Sequence, residues 1–309
     1  MTKIREYVTY IDVLIQIWGI YIVNTKLSVG LKCLATGIIY ALVTCIIQVP
    51  LAEVLGRIME LKSDSSISDE MLPQLLFSLF LSGTTLAVFF YLNGHLFSAT
   101  SKWKHGMKFA MFVYLSNYIA QVFFLDADEG LNALISGGFP VIQVELFDLI
   151  ILIITVLIMV RFMPCRHVFE KTDKKPKVWK CLVCGLVFAA VMVLLNEAVM
   201  PLIGFPNMAS GLKVSSENML FFYSVMAAGF FLTGTLVSYY AYKANDGLAK
   251  GKFITEYGIL VWCIFDITMI PLGYGVPATV AFMFVSMVAF TSLRYMNAFV
   301  NNTSSTAGS

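Results

Sequence analysis

Few residues in this sequence could do chemistry, and those that could sit among apolar neighbours. Asn196-Glu197, Asp266, Gln48, Gln121 and Asp148 each interrupt a long hydrophobic run. A carboxyl group in apolar surroundings holds a cation, carries a proton, or is kept neutral by a hydrogen-bonded neighbour, because an isolated buried charge is too costly. Glu197 and Asp266 therefore predict a cation or proton site. The amides of Gln48, Gln121 and Asn196 would be its neutral ligands, and Asp148, near Glu145, a further acid on the pathway. The competing expectation is structural: the same groups tie helix to helix, with the carboxyls protonated by desolvation.

Enzymatic constellations are weaker. Cys181-Leu-Val-Cys184 has the C-x-x-C spacing but lacks a second Cys/His pair, so small apolar filling is expected rather than zinc. His95, His105 and His167 have no His-x-x-x-His spacing and are expected at the basic surface. No phosphate loop, nucleophile elbow or dinucleotide fingerprint occurs. Asp126, Asp128 and Glu129 read as a solvated acidic loop. Glu53-Val-Leu-Gly-Arg57 and Tyr91-Leu-Asn-Gly-His95 resemble the glutamate-arginine and histidine motifs of CAAX-type intramembrane proteases. That resemblance implies Glu53 and His95 meeting around one metal-activated water. They instead flank a helical run of about 25 residues, which separates them by roughly 40 Å. The family's second histidine motif is also missing. No cofactor or metal is expected, and an intramembrane enzyme ranks only third among the expected functions.

The elements that must position these groups follow from composition. The 309 residues are 59% hydrophobic and only 13% charged, against about 25% charged in soluble domains. Apolar runs of bilayer length occur near 29–51, 72–97, 107–125, 140–163, 179–203, 218–242, 254–272 and 276–297. Lipid offers no partner for backbone polar groups, so each run predicts a helix. Of the 21 Lys and Arg residues, all but Arg57, Lys62 and Lys213 fall on one side of such an eight-span arrangement. The positive-inside rule then predicts a multi-pass protein of the cell (inner) membrane with both termini cytoplasmic. The basic run Lys171–Lys177 fits a topology determinant, so no nucleic-acid partner is expected. Residues 1–25 carry Thr9, Asp12, Gln16 and Gly19 on one stripe, with Tyr7, Tyr10 and Trp18 as anchors. They predict an amphipathic helix lying in the interface.

The sequence also repeats itself. Phe80-Leu81-Ser82-Gly83-Thr84 returns as Phe231-Leu232-Thr233-Gly234-Thr235, and Pro50-Leu51 as Pro201-Leu202. Lys32-Cys33-Leu34 returns as Lys180-Cys181-Leu182, Gly106 as Gly251, and Arg161-Phe162-Met163 as Arg294-Tyr295-Met296. Four elements in order predict two tandem units of four spans each. An even number of spans makes the repeat parallel, about an axis along the membrane normal. His105-Gly-Met-Lys-Phe109 and Lys250-Gly-Lys-Phe253 open the third span of each unit. In this the units resemble uncharacterised prokaryotic polytopic membrane proteins built from four-helix units, a resemblance that implies no activity.

The expected organisation is thus an all-α integral membrane protein. The interfacial helix (1–25) leads into a first repeat (26–165), a basic linker (166–178), a second repeat (179–299) and a polar tail (300–309). The expected function is transport or binding of a small solute, ion or lipid between the halves. The alternative is a non-catalytic scaffold or partner subunit. The partners expected are the lipid bilayer, a small solute or lipid ligand, and a second copy of the chain as homo-oligomer.

Overall fold

The computed structural model describes residues 29–58, 71–118, 139–165, 177–205, 219–244, 247–264 and 276–302, with Ser216. Among these residues the chain is helical almost throughout and contains no strand. Helix α1 spans Val29–Ile58, α2 Met71–Asn93, α3 Lys102–Val113 and α4 Phe139–Phe162. The second part of the chain carries α5 at Val178–Leu194, α6 at Met219–Tyr242, α7 at Gly247–Tyr257 and α8 at Val276–Asn302. Segments Val29–Ile47, Leu72–Phe97, Val178–Leu202, Met219–Tyr242 and Thr279–Val300 are long and apolar enough to cross a membrane. Several such helices in one chain are the mark of a multi-pass membrane protein. Their outward faces are apolar, as lipid contact requires: Leu31, Leu34, Ile38, Leu42 and Ile46 form one exposed stripe along α1.

The two largest helix interfaces are α1 with α2 and α5 with α6, and they are built alike. A Cβ on Gly83 would stand 2.5 Å from the Tyr40 Cβ and 3.0 Å from the Gly37 Cα. On Gly234 it would stand 2.7 Å from the Phe188 Cβ and 3.0 Å from the Gly185 Cα. A side chain at Gly37 would collide with Thr84 Oγ1 and the Phe80 carbonyl, and one at Gly185 with Thr235 Oγ1 and the Phe231 carbonyl. Without Cβ atoms the two backbones can touch, the usual way that membrane helices gain contact area.

The helices then cross between the two parts. Helix α6 packs on the turn that follows α3, and α2 packs on the turn that follows α7. An aromatic cluster fills the space towards the basic ends of the helices. Phe97 stacks on Tyr240 at 4.4 Å between ring centroids, Phe112 meets Tyr257 at 5.3 Å, and Phe89 meets Phe253 at 5.5 Å. Such pairs contribute about 0.5–1.5 kcal/mol each beyond their area.

Three details refine the sequence reading. Helices α3 and α7 begin at Lys102 and Gly247, ahead of the apolar runs, so Lys102, Lys104, Lys108, Lys250 and Lys252 are helical rather than in loops. Ser101 caps α3 by accepting the Lys104 N–H at 3.3 Å. His95, expected at the surface, is buried in a short 3₁₀ turn at Gly94–Phe97. Helix α8 runs on to Asn302, and the Val300 carbonyl accepts a hydrogen bond from the buried Lys180 Nζ. The N-terminal 1–25 segment and most of the basic linker lie outside the described residues.

Candidate functional site

Three of the helices leave the α-helical register, each within a long helical run. Tyr114–Tyr118 continues α3, Leu195–Val199 continues α5 and Gly258–Cys263 continues α7, all as π turns. A π turn adds a residue to the helix and redirects its carbonyls, and such turns recur at functional sites. At about 1.5 Å per residue, the first and third begin roughly 17–18 Å from the basic ends of their helices, and the second roughly 26 Å.

The first of these turns is tied to the other part of the chain. Thr233 Oγ1 donates to the Ser116 carbonyl at 2.7 Å, with a longer contact of 3.1 Å to its own Gly229 carbonyl. Tyr257 donates its hydroxyl to Ser116 Oγ at 2.8 Å, and Ser116 Oγ donates to the Phe112 carbonyl at 2.6 Å. This joint of α3, α6 and α7 is fully buried. Across from it, α2 meets the Gly258–Cys263 turn, and among the described residues Ser82 Oγ makes no bond to it. Ser82 Oγ and Asn117 Oδ1 are buried without a hydrogen-bond partner among the described residues. Both line a cavity of about 20 Å³, together with Thr85 and Val261, which is room for one water.

The Leu195–Val199 turn carries Asn196 and Glu197. Tyr223 on α6 donates its hydroxyl to Glu197 Oε2 at 2.7 Å. Glu197 Oε1 is buried and has no hydrogen-bond partner among the described residues. Asn196 is buried; its Nδ2 donates to the Met192 carbonyl at 2.8 Å, while Oδ1 has no partner among the described residues. The helix ends one turn later at a firm stop. The Phe205 N–H returns to the Met200 carbonyl at 3.0 Å and the Gly204 N–H to the Pro201 carbonyl at 3.1 Å, with Gly204 at φ +84°. Only glycine adopts that conformation without strain.

Comparison with protein-family models, curated proteins and solved structures gives no match. The chemistry of the site is therefore the sole guide.

Of the six residues the sequence singles out, Asn196 and Glu197, neighbours in the chain, share the Leu195–Val199 turn. Asp148 is half-buried on α4, which packs on α1 and α3, whereas the Glu197 turn packs on α5 and α8. Gln48 lies within α1, but its side chain is outside the described residues, as are Gln121 and Asp266 altogether. Among the described residues no cluster of His, Cys, Asp and Glu could hold a metal.

Sequence reasoning missed the partners. Tyr223 reads as one more aromatic in an apolar helix. Thr233 reads only as part of the phrase that repeats Phe80–Thr84, and nothing in the sequence singles out Ser116. Glu256, within a predicted span, accepts from Asn93 Nδ2 at 2.8 Å and lies 3.6 Å from Lys252. Here a signal existed, because Lys252 and Glu256 stand one helical turn apart.

What the site can do follows from its open valences. Glu197 has one oxygen held by a phenol and one buried and left over among the described residues. That open acceptor suits a proton or a small cation.

Proposed function

We propose that the chain is a transport-type protein of the cell (inner) membrane that binds or moves a small solute or ion. In this reading eight spans form two tandem four-helix halves, related by an axis along the membrane normal, with the basic helix ends and both termini in the cytoplasm. The likeness of the α1–α2 and α5–α6 interfaces, and the crossed packing of α2 and α6 on opposite π turns, support the two halves.

One observation carries the transport reading: an acid on a π turn within a long helical run, with one carboxyl oxygen held by Tyr223 and the other buried without a partner among the described residues. Towards the basic ends lies the aromatic cluster around Phe97 and Phe112. Beyond it the helices break, and the acceptors of Asn117, Asn196 and Glu197 remain unpaired among the described residues. Broken helices with free acceptors in the membrane are how transporters build sites for cations and protons. The aromatic layer would then be a closed gate on the cytoplasmic side, below a site at Glu197.

The alternative, a non-catalytic scaffold, is favoured by the Thr233–Ser116–Tyr257 joint, which fixes the two parts to each other. Flux measurements on purified protein in liposomes separate the readings. Under imposed proton, sodium or potassium gradients, transport predicts a flux that E197Q lowers by at least about tenfold, the effect of about 1.4 kcal/mol lost at the site. Y223F, which keeps the carboxylate, should lower it less. Wild-type vesicles no more permeable than empty ones to all three ions would favour the scaffold.

A further inference from the structure

At the basic end of the first part, α4 stops at Phe162 and Pro164 turns the chain away. A cavity of about 420 Å³ opens there, and four basic side chains line it: Lys32 from α1, Lys102 and His105 from α3, and Arg161 from α4. Among the described residues no acid lines it. Lys32, Lys102 and Arg161 form no ion pair among the described residues. His105 is oriented by its Nε2–H, which donates to the Gly94 carbonyl at 2.8 Å.

Three elements thus aim positive charge at one concavity, and the start of α3 adds to it. The first turn of α3, Lys102-Trp-Lys-His105, holds no acid. Placing cations at the positive end of a helix dipole is unfavourable unless an anion joins them. The corresponding basic residues of the second part are placed differently. Lys180, counterpart of Lys32, is buried against the Val300 carbonyl of the longer α8. Arg294, counterpart of Arg161, lies over Gly251, with its Nε 2.8 Å from where a Cβ would be. The first part keeps the cations and leaves the space.

The lining is also half apolar, with Phe90, Val160 and Pro164 among its residues. Beside Lys32 the exposed Leu31 begins the apolar stripe that continues through Leu34, Ile38, Leu42 and Ile46. That stripe runs roughly 22 Å along α1, more than half the hydrocarbon thickness. A ligand with a phosphate at one end and acyl chains at the other matches cavity and stripe together. We propose that this cavity binds the phosphate of an anionic phospholipid, with Lys32, Lys102 and Arg161 as its charge partners.

The test uses purified, delipidated full-length protein and its thermal unfolding midpoint. Mixed micelles carrying phosphatidylglycerol are titrated against micelles carrying phosphatidylcholine, and inorganic phosphate is titrated separately. Phosphatidylglycerol should raise the midpoint saturably while phosphatidylcholine does not. The apparent affinity should fall by about a hundredfold in the triple variant K32Q/K102Q/R161Q, roughly fivefold for each basic group removed near the membrane surface. K104Q/K108Q, on the exposed side of α3, should leave it unchanged. Should the triple variant fail to fold, the single variants K32Q, K102Q and R161Q should each show the fivefold loss. The lipid assignment is overturned if inorganic phosphate alone reproduces the shift, which would make this a site for free phosphate. An equal shift in the wild type and in these variants, or no shift with any anion, would overturn the site itself.

Discussion

The α1–α2 and α5–α6 interfaces are built alike, yet the two parts of the chain differ at two depths. At mid-depth, Thr233 closes one crossing by bonding the Ser116 carbonyl, while its counterpart Ser82 leaves a water-sized cavity beside Asn117. At the basic end the second part engages its cations. Lys180 bonds Val300, Lys243 lies 4.2 Å from the centre of the Tyr240 ring, Lys250 lies 4.6 Å from that of Tyr242, and Lys252 approaches Glu256. The first part directs Lys32, Lys102 and Arg161 into open space. Shared features, such as the Gly37–Gly83 and Gly185–Gly234 contacts, are what close packing demands.

Substitutions can break or sharpen this comparison. The largest effect is expected where the parts agree. Gly37→Leu and Gly185→Leu each force a side chain into a helix contact with no room, and should each destabilise by about 3 kcal/mol or prevent folding. Denaturation in detergent measures this, and a large effect at one glycine with none at the other would separate the two interfaces. A smaller, unequal effect is expected at the crossing. Thr233→Val removes a bond to a buried carbonyl and should cost about 1–2 kcal/mol, whereas Ser82→Ala should cost well under about 0.5 kcal/mol. Equal costs would mean that the two crossings are not differently built. Tyr257→Phe, which deletes one hydroxyl from the same joint, should cost about 1 kcal/mol.

The smallest effect is kinetic. Burial pushes the Cys165 thiol up to about 11, and Cys165 lines the open cavity, where the matching place in the second part is Ala298. The thiolate is the reactive form, so alkylation should be slow at pH 8 and quicken about tenfold per pH unit towards pH 10. Mass spectrometry can follow it in a variant with the other cysteines replaced. A rate already high at pH 8 would contradict this shielded setting.

Much of the fold was legible because membrane helices announce themselves by length and polarity, and because repeated glycines sit where backbones touch. Lys102 and Gly247 show where that legibility ends. Charged residues can begin a helix before it enters lipid, so hydropathy places the helix start too late. The site was half legible. Glu197 stood out because an acid in an apolar run is costly, and Asn196 came with it. Tyr223 did not, since a phenol in a membrane helix is ordinary until its hydroxyl is placed. The Ser116 joint was invisible for a different reason: a π turn is set by tertiary packing and leaves no mark in hydrophobic periodicity. The cationic cavity was hidden by its composition, because Lys32, Lys102 and Arg161 read singly as residues that fix topology. Only the end of α4 before Pro164, beside the longer α8, makes them a group.

The central claim is that the chain consists of two parallel four-span halves, and sidedness tests it most directly. In a cysteine-free background, Thr100→Cys and Asn245→Cys probe equivalent connections of the two halves at the basic ends, and Ser65→Cys and Ser210→Cys probe equivalent connections at the opposite ends. A membrane-impermeant maleimide added to intact cells should label Ser65→Cys and Ser210→Cys, and should reach Thr100→Cys and Asn245→Cys only after permeabilisation. Labelling of Thr100→Cys and Asn245→Cys from opposite sides would mean an inverted arrangement and contradict the account.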